Sequence, residues 1–339
     1  MTPAGPEPAC PPAPPGGPEP DRRLVTVFGG SGFIGRYVVG ALARRGWRVR
    51  VAVRQPHVAH HLQPLGTVGQ IMPVQANVRY PDSLRSACSG ADAVINLVAV
   101  LYNSGAQTFD KIHVQGSGAV ANAARDAGAR RLIHMSALGA DPDSPSAFAR
   151  SKAEGEARAL HAMPETAVVR PSVVFGPEDD FFNRFASMAR ASPALPLIGG
   201  GHTKFQPVYA GDVAEGIARL LMLPAAAGRA YEFGGPEVLT FREIMDYMLN
   251  VIQRRRLLVP IPWAIARLQA AVLQLLPSPP LTMDQVELLK TDNVVSEAAI
   301  QHGQTLEGLG IAPQAMEAIV PEYLVRFRRA GQFARPLER

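Results

Sequence analysis

The chain is poor in cysteine and aromatic residues and has no long apolar run. Cys10 and Cys88 are its two cysteines among 339 residues. That excludes a disulfide scaffold or a cysteine-built zinc site and fits a reducing compartment. No apolar run reaches the roughly 18–20 residues of a membrane-spanning helix. Aromatics make up 6% and no DNA- or RNA-reading motif occurs, so nucleic acid is not an expected partner. The serines show no G-x-S-x-G elbow, which removes a hydrolase reading. Carboxylates are absent from Arg22 to Pro81, a stretch that holds nine arginines.

What is present is a core-forming chain. Hydrophobic residues are 47% and charged residues 19%, and at about 150 residues per domain the length suggests roughly two domains. The net charge of +5 favours an anionic partner: a membrane surface, an acidic subunit or a phosphorylated ligand.

Residues 1–23 read as a disordered, Pro-rich tail, because residues 1–20 hold nine of the 31 prolines and almost no bulky apolar residue. The tail lacks the basic start and apolar stretch of a secretory signal. It has Glu7, Glu19 and Asp21 before its first arginine, unlike a mitochondrial presequence. Strand-like runs follow at Leu24–Phe28, Val49–Val53, Ile71–Val74, Ala93–Leu101, Arg131–Met135 and Ala167–Arg170. Helix-like stretches such as Ile34–Arg45, Ser117–Ala127 and Ala149–His161 fall between them. This alternation predicts an α/β fold with a doubly wound parallel sheet over 24–175, completed by later segments. A smaller, mostly helical domain is expected over 176–325, and a basic tail over 326–339. Capping boxes are expected at Asp212 with Glu215, Thr240 with Glu243, and Thr282 with Gln285.

The strongest motif is Gly29-Gly30-Ser31-Gly32-Phe33-Ile34-Gly35, between a predicted strand and a predicted helix. It fits a dinucleotide fingerprint with GxxGxxG spacing. Gly29 permits a tight turn, Gly32 lets the backbone approach a pyrophosphate, and Gly35 allows close helix packing. The helix N-terminus offers free N–H groups to the phosphates. NAD binders place an Asp or Glu after the second strand, but this chain has Arg54 there, and Arg36 follows the last glycine. Two guanidinium groups suit a 2′-phosphate, so NADP(H) is expected over NAD(H). Arg44, Arg45 and Arg48 read as solvated surface. His57, His60 and His61 have helical spacing, but no Cys, Asp or Glu lies near in sequence, so no metal is expected.

The fingerprint resembles that of extended and atypical short-chain dehydrogenases. So do Asn77-Val78, Asn96-Leu97-Val98-Ala99, His134-Met135-Ser136, Ser151-Lys152 and Arg170-Pro171-Ser172. The resemblance covers roughly residues 24–325 and implies a Rossmann domain with a small substrate-type domain. It implies that Asn77 and Val78 flank the adenine, that Val98 and Ala99 lie along the cofactor, and that Pro171 and Val173 are near it. Many members have Asp where Asn77 stands. The family's catalytic Ser and Lys match Ser136 and Lys152, the lysine also holding the nicotinamide ribose. The family's proton-donating Tyr is Phe148 here, a ring with no proton to give. Tyr102 and Tyr209 are the candidate substitutes.

A narrower resemblance is to the nucleotide-binding accessory subunits of respiratory complex I and their bacterial relatives. It rests on Gly32–Val39, Phe175-Gly176-Pro177-Glu178-Asp179, Asn183–Met188, Gln206-Pro207-Val208-Tyr209 with Asp212-Val213, and Leu281–Val295. It implies a cofactor held structurally, complex I subunits as partners, and a peripheral place on the cytoplasmic side of a bacterial inner membrane. The alternative is a free NADPH-dependent oxidoreductase or epimerase acting on a nucleotide-sugar or an isoprenoid-like carbonyl. Arg254–Leu276 joins three arginines to an interrupted apolar stretch with Trp263. It reads either as a segment packed on its own domain or as one lying on an anionic membrane surface.

Overall fold

The computed structural model describes residues 23–277 and 279–329. The expected Pro-rich tail and the end of the basic tail lie outside the described residues. Six strands alternate with helices along the first half: β1 (Leu24–Phe28), β2 (Arg48–Val53), β3 (Ile71–Gln75), β4 (Ala93–Asn96), β5 (Arg131–Met135) and β6 (Ala167–Pro171). The intervening helices are α1 (Phe33–Arg44), α2 (Pro81–Cys88), α3 (Gly116–Asp126) and α4 (Ala147–Ala162). β1, β4 and β6 are almost wholly buried, as central parallel strands are, whereas β2 begins with the alternating Arg48-Val49-Arg50-Val51 and the edge strand β3 is partly exposed.

Later elements follow in order. The strands are β7 (Val174–Phe175), β8 (Ala194–Ile198), β9 (Lys204–Phe205), β10 (Val208–Tyr209), β11 (Ala230–Phe233), β12 (Leu239–Thr240) and β13 (Leu257–Ile261). The helices are α5 (Phe181–Ala191), α6 (Ala210–Met222), α7 (Phe241–Val251), α8 (Trp263–Leu273), α9 (Met283–Leu288), α10 (Glu297–Gln301) and α11 (Met316–Leu324).

The main sheet has seven parallel strands in the order β11-β6-β5-β4-β1-β2-β3. One face is covered by α1 and α6 around Val38, Leu42, Val213 and Ile217. The other is covered by α2, α3 and α4 around Leu84, Val120 and Ala159. The sheet order reverses between β1 and β4, and their carboxyl ends open the crevice where doubly wound sheets bind ligands. A third core, with Phe175, Phe182, Phe241 and Met245, joins α5, α7 and α11. α8 and α9 share a small core of Ala266, Ala270 and Val286.

Two expectations need correction. The strand expected over Ala93–Leu101 ends at Asn96, because Leu97–Val100 leave the sheet to line a cleft. The sheet is completed by later segments, as expected. α6 and β11 return to the sheet, β11 pairing with β6 from Ala230↔Val168 to Phe233↔Pro171. Finally, Asp212 does not cap a helix, because α6 begins directly after β10 and places Asp212 inside its first turn. Its carboxylate accepts from the Gln314 backbone N–H at 2.7 Å, while Glu215 pairs with Arg45, just past the end of α1. The capping boxes at Thr240 and Thr282 form as expected.

Candidate functional site

The glycine loop makes the floor of a cleft of about 290 Å³ at the carboxyl ends of β1, β2 and β4. Gly29 has φ +79°, a left-handed turn that an L side chain resists. A Cβ on Gly35 would run into the Gly29 carbonyl oxygen and, at 2.6 Å, the Gly30 Cα, so α1 can rise beside β1 only with glycine there. Gly30 instead faces inward against Val27, Val39 and Val51. Gly32 is the N-cap of α1 and supplies no side-chain cap, and the first turn has no acid. The opening N–H groups and positive dipole end of α1 are therefore left for an anion.

Of the residues singled out from the sequence, Gly29, Ser31, Gly32 and Arg54 line this cleft. Asn77, Val78, Val98 and Ala99 line it too. Arg54 lies on its rim and donates to Gln107 Oε1 at 3.0 Å, with no carboxylate partner among the described residues. The Asn77 side chain accepts from the Arg79 backbone N–H at 3.1 Å and shapes the turn after β3. Arg79 also lines the cleft. Sequence reasoning missed it, although it follows the Asn77-Val78 pair directly. Phe33, Ile34 and Gly35 form the first turn of α1. Arg36, one residue further, turns away from the cleft to Glu178, with Arg36 Nη1 2.8 Å from Glu178 Oε1. Tyr37 donates to the same carboxylate at 3.0 Å.

A buried polar centre lies beneath α4. Lys152 is 3% exposed and donates to the Met135 carbonyl at 3.2 Å. Burial pushes its ammonium down to about 8, against the pull of Glu156. Burial, with a further push from the lysine charge, holds His113 and His134 down at about 3, so both are neutral at physiological pH. His113 sits in a π-helical turn, Asp110–Gln115, that runs into α3. The Val100 N–H donates to His113 Nε2 at 3.0 Å. Nδ1 therefore carries the proton and donates to Ser151 Oγ at 2.9 Å. The Ser151 hydroxyl donates in turn to the Phe148 carbonyl at 2.8 Å.

Three buried polar atoms of this region have no partner among the described residues: Ser136 Oγ, His134 Nε2 and Ser117 Oγ. Such orphans cost stability and mark places where a ligand or water belongs. The Phe148 ring lies edge-on to Phe109 and His113, with Lys152 Nζ 5.9 Å from its centroid. The Phe148 ring itself carries no hydroxyl. Tyr209 packs on Tyr37 and Phe175 instead. Tyr102 lines a second cleft of about 770 Å³ beside Phe109 and Ala147, walled on its far side by α8 and α9.

The N-terminus of α4 is held from far along the chain. Asp284 of α9 accepts from Ser146 Oγ at 2.9 Å, Ala147 N at 2.6 Å and Phe148 N at 3.1 Å. The segment after β6 is pinned in a similar way, with Ser172 Oγ and Val173 N donating to Asn293 Oδ1. Pro171 closes β6, beside the partner strand residue Phe233.

The architecture and the glycine loop coincide with a known family, whose model matches residues 25–234. The chain belongs to the NAD dependent epimerase/dehydratase family. Among its relatives is the mitochondrial NADH dehydrogenase (ubiquinone) 1 alpha subcomplex subunit 9 of Arabidopsis thaliana. It is 35% identical over 320 residues, 91% of this chain and 79% of that protein. The subunit of the same name from Mus musculus is 34% identical, covering 90% and 80%. Among solved structures, DesIV of Streptomyces venezuelae, a dTDP-glucose 4,6-dehydratase with NAD and TYD bound, superposes with a TM-score of 0.66. At 21% identity over 90% of this chain and 96% of that one, it shows the shared fold.

Proposed function

We propose that this chain is a nucleotide-binding accessory subunit of respiratory complex I that holds NADP(H) as a structural element. The observation that carries the reading is Phe148. The lysine, the serine and the glycine loop of a dehydrogenase are kept, and the one group that must deliver a proton is an unreactive ring. The two subunit 9 relatives cover most of this chain at 34–35% identity, which supports the same assignment.

The residues present fit the nucleotide. The uncapped start of α1 suits the pyrophosphate, and Arg54 with Arg79 supplies positive charge at the rim where the adenosine ribose belongs. We assign the 2′-phosphate, and so the preference for NADP(H), to that rim. Arg36 is committed to Glu178 and acts as a brace for the loop Gly176–Asp179. Lys152 and Ser136 have the spare donor capacity to hold the nicotinamide ribose and carboxamide. When bound, the nicotinamide can carry hydride; the protein around it orients the ring and withholds the proton.

No helix among the described residues is long and apolar enough to cross a membrane. We propose a peripheral place for the chain, on the cytoplasmic side of a bacterial inner membrane. β13 and α8, which make up most of Arg254–Leu276, expose Leu257, Ile265 and Leu268 and form the face we assign to that surface. The deciding experiment is affinity purification of the tagged chain from gently solubilised membranes, with partners and nucleotide identified by mass spectrometry. Complex I subunits with stoichiometric NADPH are expected. A lone protein that reduces a carbonyl substrate, with the turnover lost in Lys152→Ala, would replace this reading with a free oxidoreductase.

A further inference from the structure

We propose that the arginine-lined end of the α5, α7 and α11 bundle is a docking surface for an acidic segment of a partner protein. Four arginines gather around Phe327, in the short turn Val325–Phe327 that follows α11. The guanidinium carbons of Arg190 and Arg326 lie 5.9 and 5.1 Å from its ring centroid. Arg254 Nε donates to its carbonyl at 2.8 Å, and Arg328 follows it in the chain. A fifth, Arg256, donates from Nε to the Ala189 carbonyl at 2.7 Å, next to Arg190. Three segments distant in sequence thus bring their cations to one place.

These cations lack a counter-charge. None of the five makes an ion pair among the described residues, where Arg36, Arg45, Arg170 and Arg219 all do. Burial and the charges of Arg256, Arg190 and Arg329 push the Arg254 guanidinium below its ordinary value. Helix ends account for part of the arrangement. The carbonyls of Ala189, near the end of α5, of Val251, which closes α7, and of Phe327 each accept from an arginine Nε, that of Val251 from Arg328 at 3.0 Å. A helix end carries about half a negative charge, so three of them fall well short of balancing the arginines.

The way these side chains are held leaves their outer edges open. Arg254 and Arg328 spend only Nε, and their terminal nitrogens have no partner among the described residues. Arg256 spends Nε and Nη1. A guanidinium fixed by its inner edge presents a planar fork to a carboxylate, and has little rotamer freedom left to lose on binding. The turn that aims Arg254 is strained. Gln253 has φ +54°, left-handed for a residue other than glycine, and strain of this kind collects at binding sites. A run of carboxylates suits forks from three segments better than a bilayer does. Most of the apolar surface assigned to the membrane is on α8, and β13 separates it from the arginines by about 16 Å at 3.3 Å per residue. Surface charges act over about 8 Å at physiological salt.

That the partner is a complex I subunit rests on the reading above, whereas its acidic chemistry rests on the arginines alone. Fluorescein-labelled octaglutamate is titrated with the full chain and followed by anisotropy, with a Gly-Ser peptide of equal length as the uncharged control. Saturable one-to-one binding of octaglutamate is expected, and none of the control. Arg254→Gln combined with Arg328→Gln should weaken it at least about tenfold, as loss of charge-assisted bonds implies. Arg190→Gln leaves all three carbonyl caps in place and should weaken it about threefold. Arg44→Gln with Arg48→Gln, the same charge change elsewhere on the surface, should change it less than about twofold. NADPH binding should be unaltered throughout; if the Arg254 and Arg328 variant loses it by misfolding, Arg190→Gln decides. In affinity purification the wild-type chain should bring down complex I subunits and the Arg254 and Arg328 variant should not.

Failure of octaglutamate to bind overturns the proposal, as does an equal loss in the Arg44 and Arg48 variant. Arginine-dependent binding to phosphatidylglycerol vesicles without binding of octaglutamate would give the patch to lipid instead. Complex I subunits retained by the Arg254 and Arg328 variant would overturn the proposal and leave the subunit reading intact. Arginine-dependent octaglutamate binding by a wild-type chain that captures no complex I subunit would remove that reading and keep the surface.

Discussion

The nucleotide cleft and the wider cleft beside it are built by different means. The first is made almost wholly by one continuous stretch, from Phe28 to Ile112. Backbone turns, glycines and the start of a single helix define it, so its shape is set locally and rigidly. The second takes its walls from Tyr102 to Phe109, from Pro145 to Ala147 and from Arg267 to Glu287. Flexible side chains and a thinly packed helix pair line it. A site that must grip a fixed anion is written into neighbouring residues. The wider cleft is assembled from segments far apart in the chain, and α4, with Phe148 and Lys152, lies between the two schemes.

The largest expected effect tests the local scheme. Gly35→Val forces a branched side chain into the Gly29 carbonyl, so α1 must lift. Stability should fall by about 3 kcal/mol, the upper end of overpacking costs, and NADPH binding should vanish in a direct titration. Retention of both would mean that the loop is softer than its packing implies.

Lys152→Met tests the buried centre. Because the folded state holds the lysine down at about 8 against 10.5 when exposed, the unfolded chain binds more protons between those values. Stability therefore rises with pH from about 8 to 10.5, and the burial cost is fully present below 8. The variant should be more stable than wild type at pH 7, on the order of 2–3 kcal/mol. It should show a flat profile where wild type climbs, and it should bind NADPH poorly. A denaturation series from pH 7 to 10.5 reads all but the last. The two neutral histidines act in the opposite range. Both are lowered from 6.5 to about 3, so wild-type stability should decline as pH falls below about 6.5.

Arg54→Ala sharpens the contrast in anion recognition. Loss of a charge-assisted bond costs about 1.5–3 kcal/mol, so NADPH should bind some ten- to a hundredfold more weakly and NADH unchanged. Equal losses for the two nucleotides would remove the 2′-phosphate from that rim. Phe148→Tyr is the smallest change: NADPH affinity should stay within about twofold, because the ring already packs on Phe109 and His113. A large drop would mean that the ring itself touches the cofactor.

The glycine loop was legible in the sequence because it depends on spacing within a few residues; Arg54 was read from its place after the second strand, and Ser136 and Lys152 from the family resemblance. The lysine is four positions after Phe148, one helical turn on, and no distant contact is needed to see it. Arg79 was not legible, since nothing in its neighbours says that the turn after β3 points it into a cleft. Nor was Arg36's engagement with Glu178, which joins residues 142 apart. β11 carries only four residues, too few for alternation to stand out, and its place at the sheet edge comes from pairing with β6. Asp212 misled because an acid three residues ahead of a glutamate looks like a helix start, whereas β10 runs straight into α6. The Asp284 cap on α4 spans 136 residues from Phe148, and no local pattern announces it.

That last contact bears on how the chain is made. During synthesis the segment holding β1 to β6 leaves the ribosome first, yet its edge strand β11, its covering helix α6, the Asp284 cap and the Asn293 clasp all come later. The nucleotide-holding half thus waits with an open sheet edge and a loose α4 while about a hundred further residues are translated. Such an intermediate is prone to aggregation. A nucleotide bound at the locally formed glycine loop would stabilise that half before its later cover is in place.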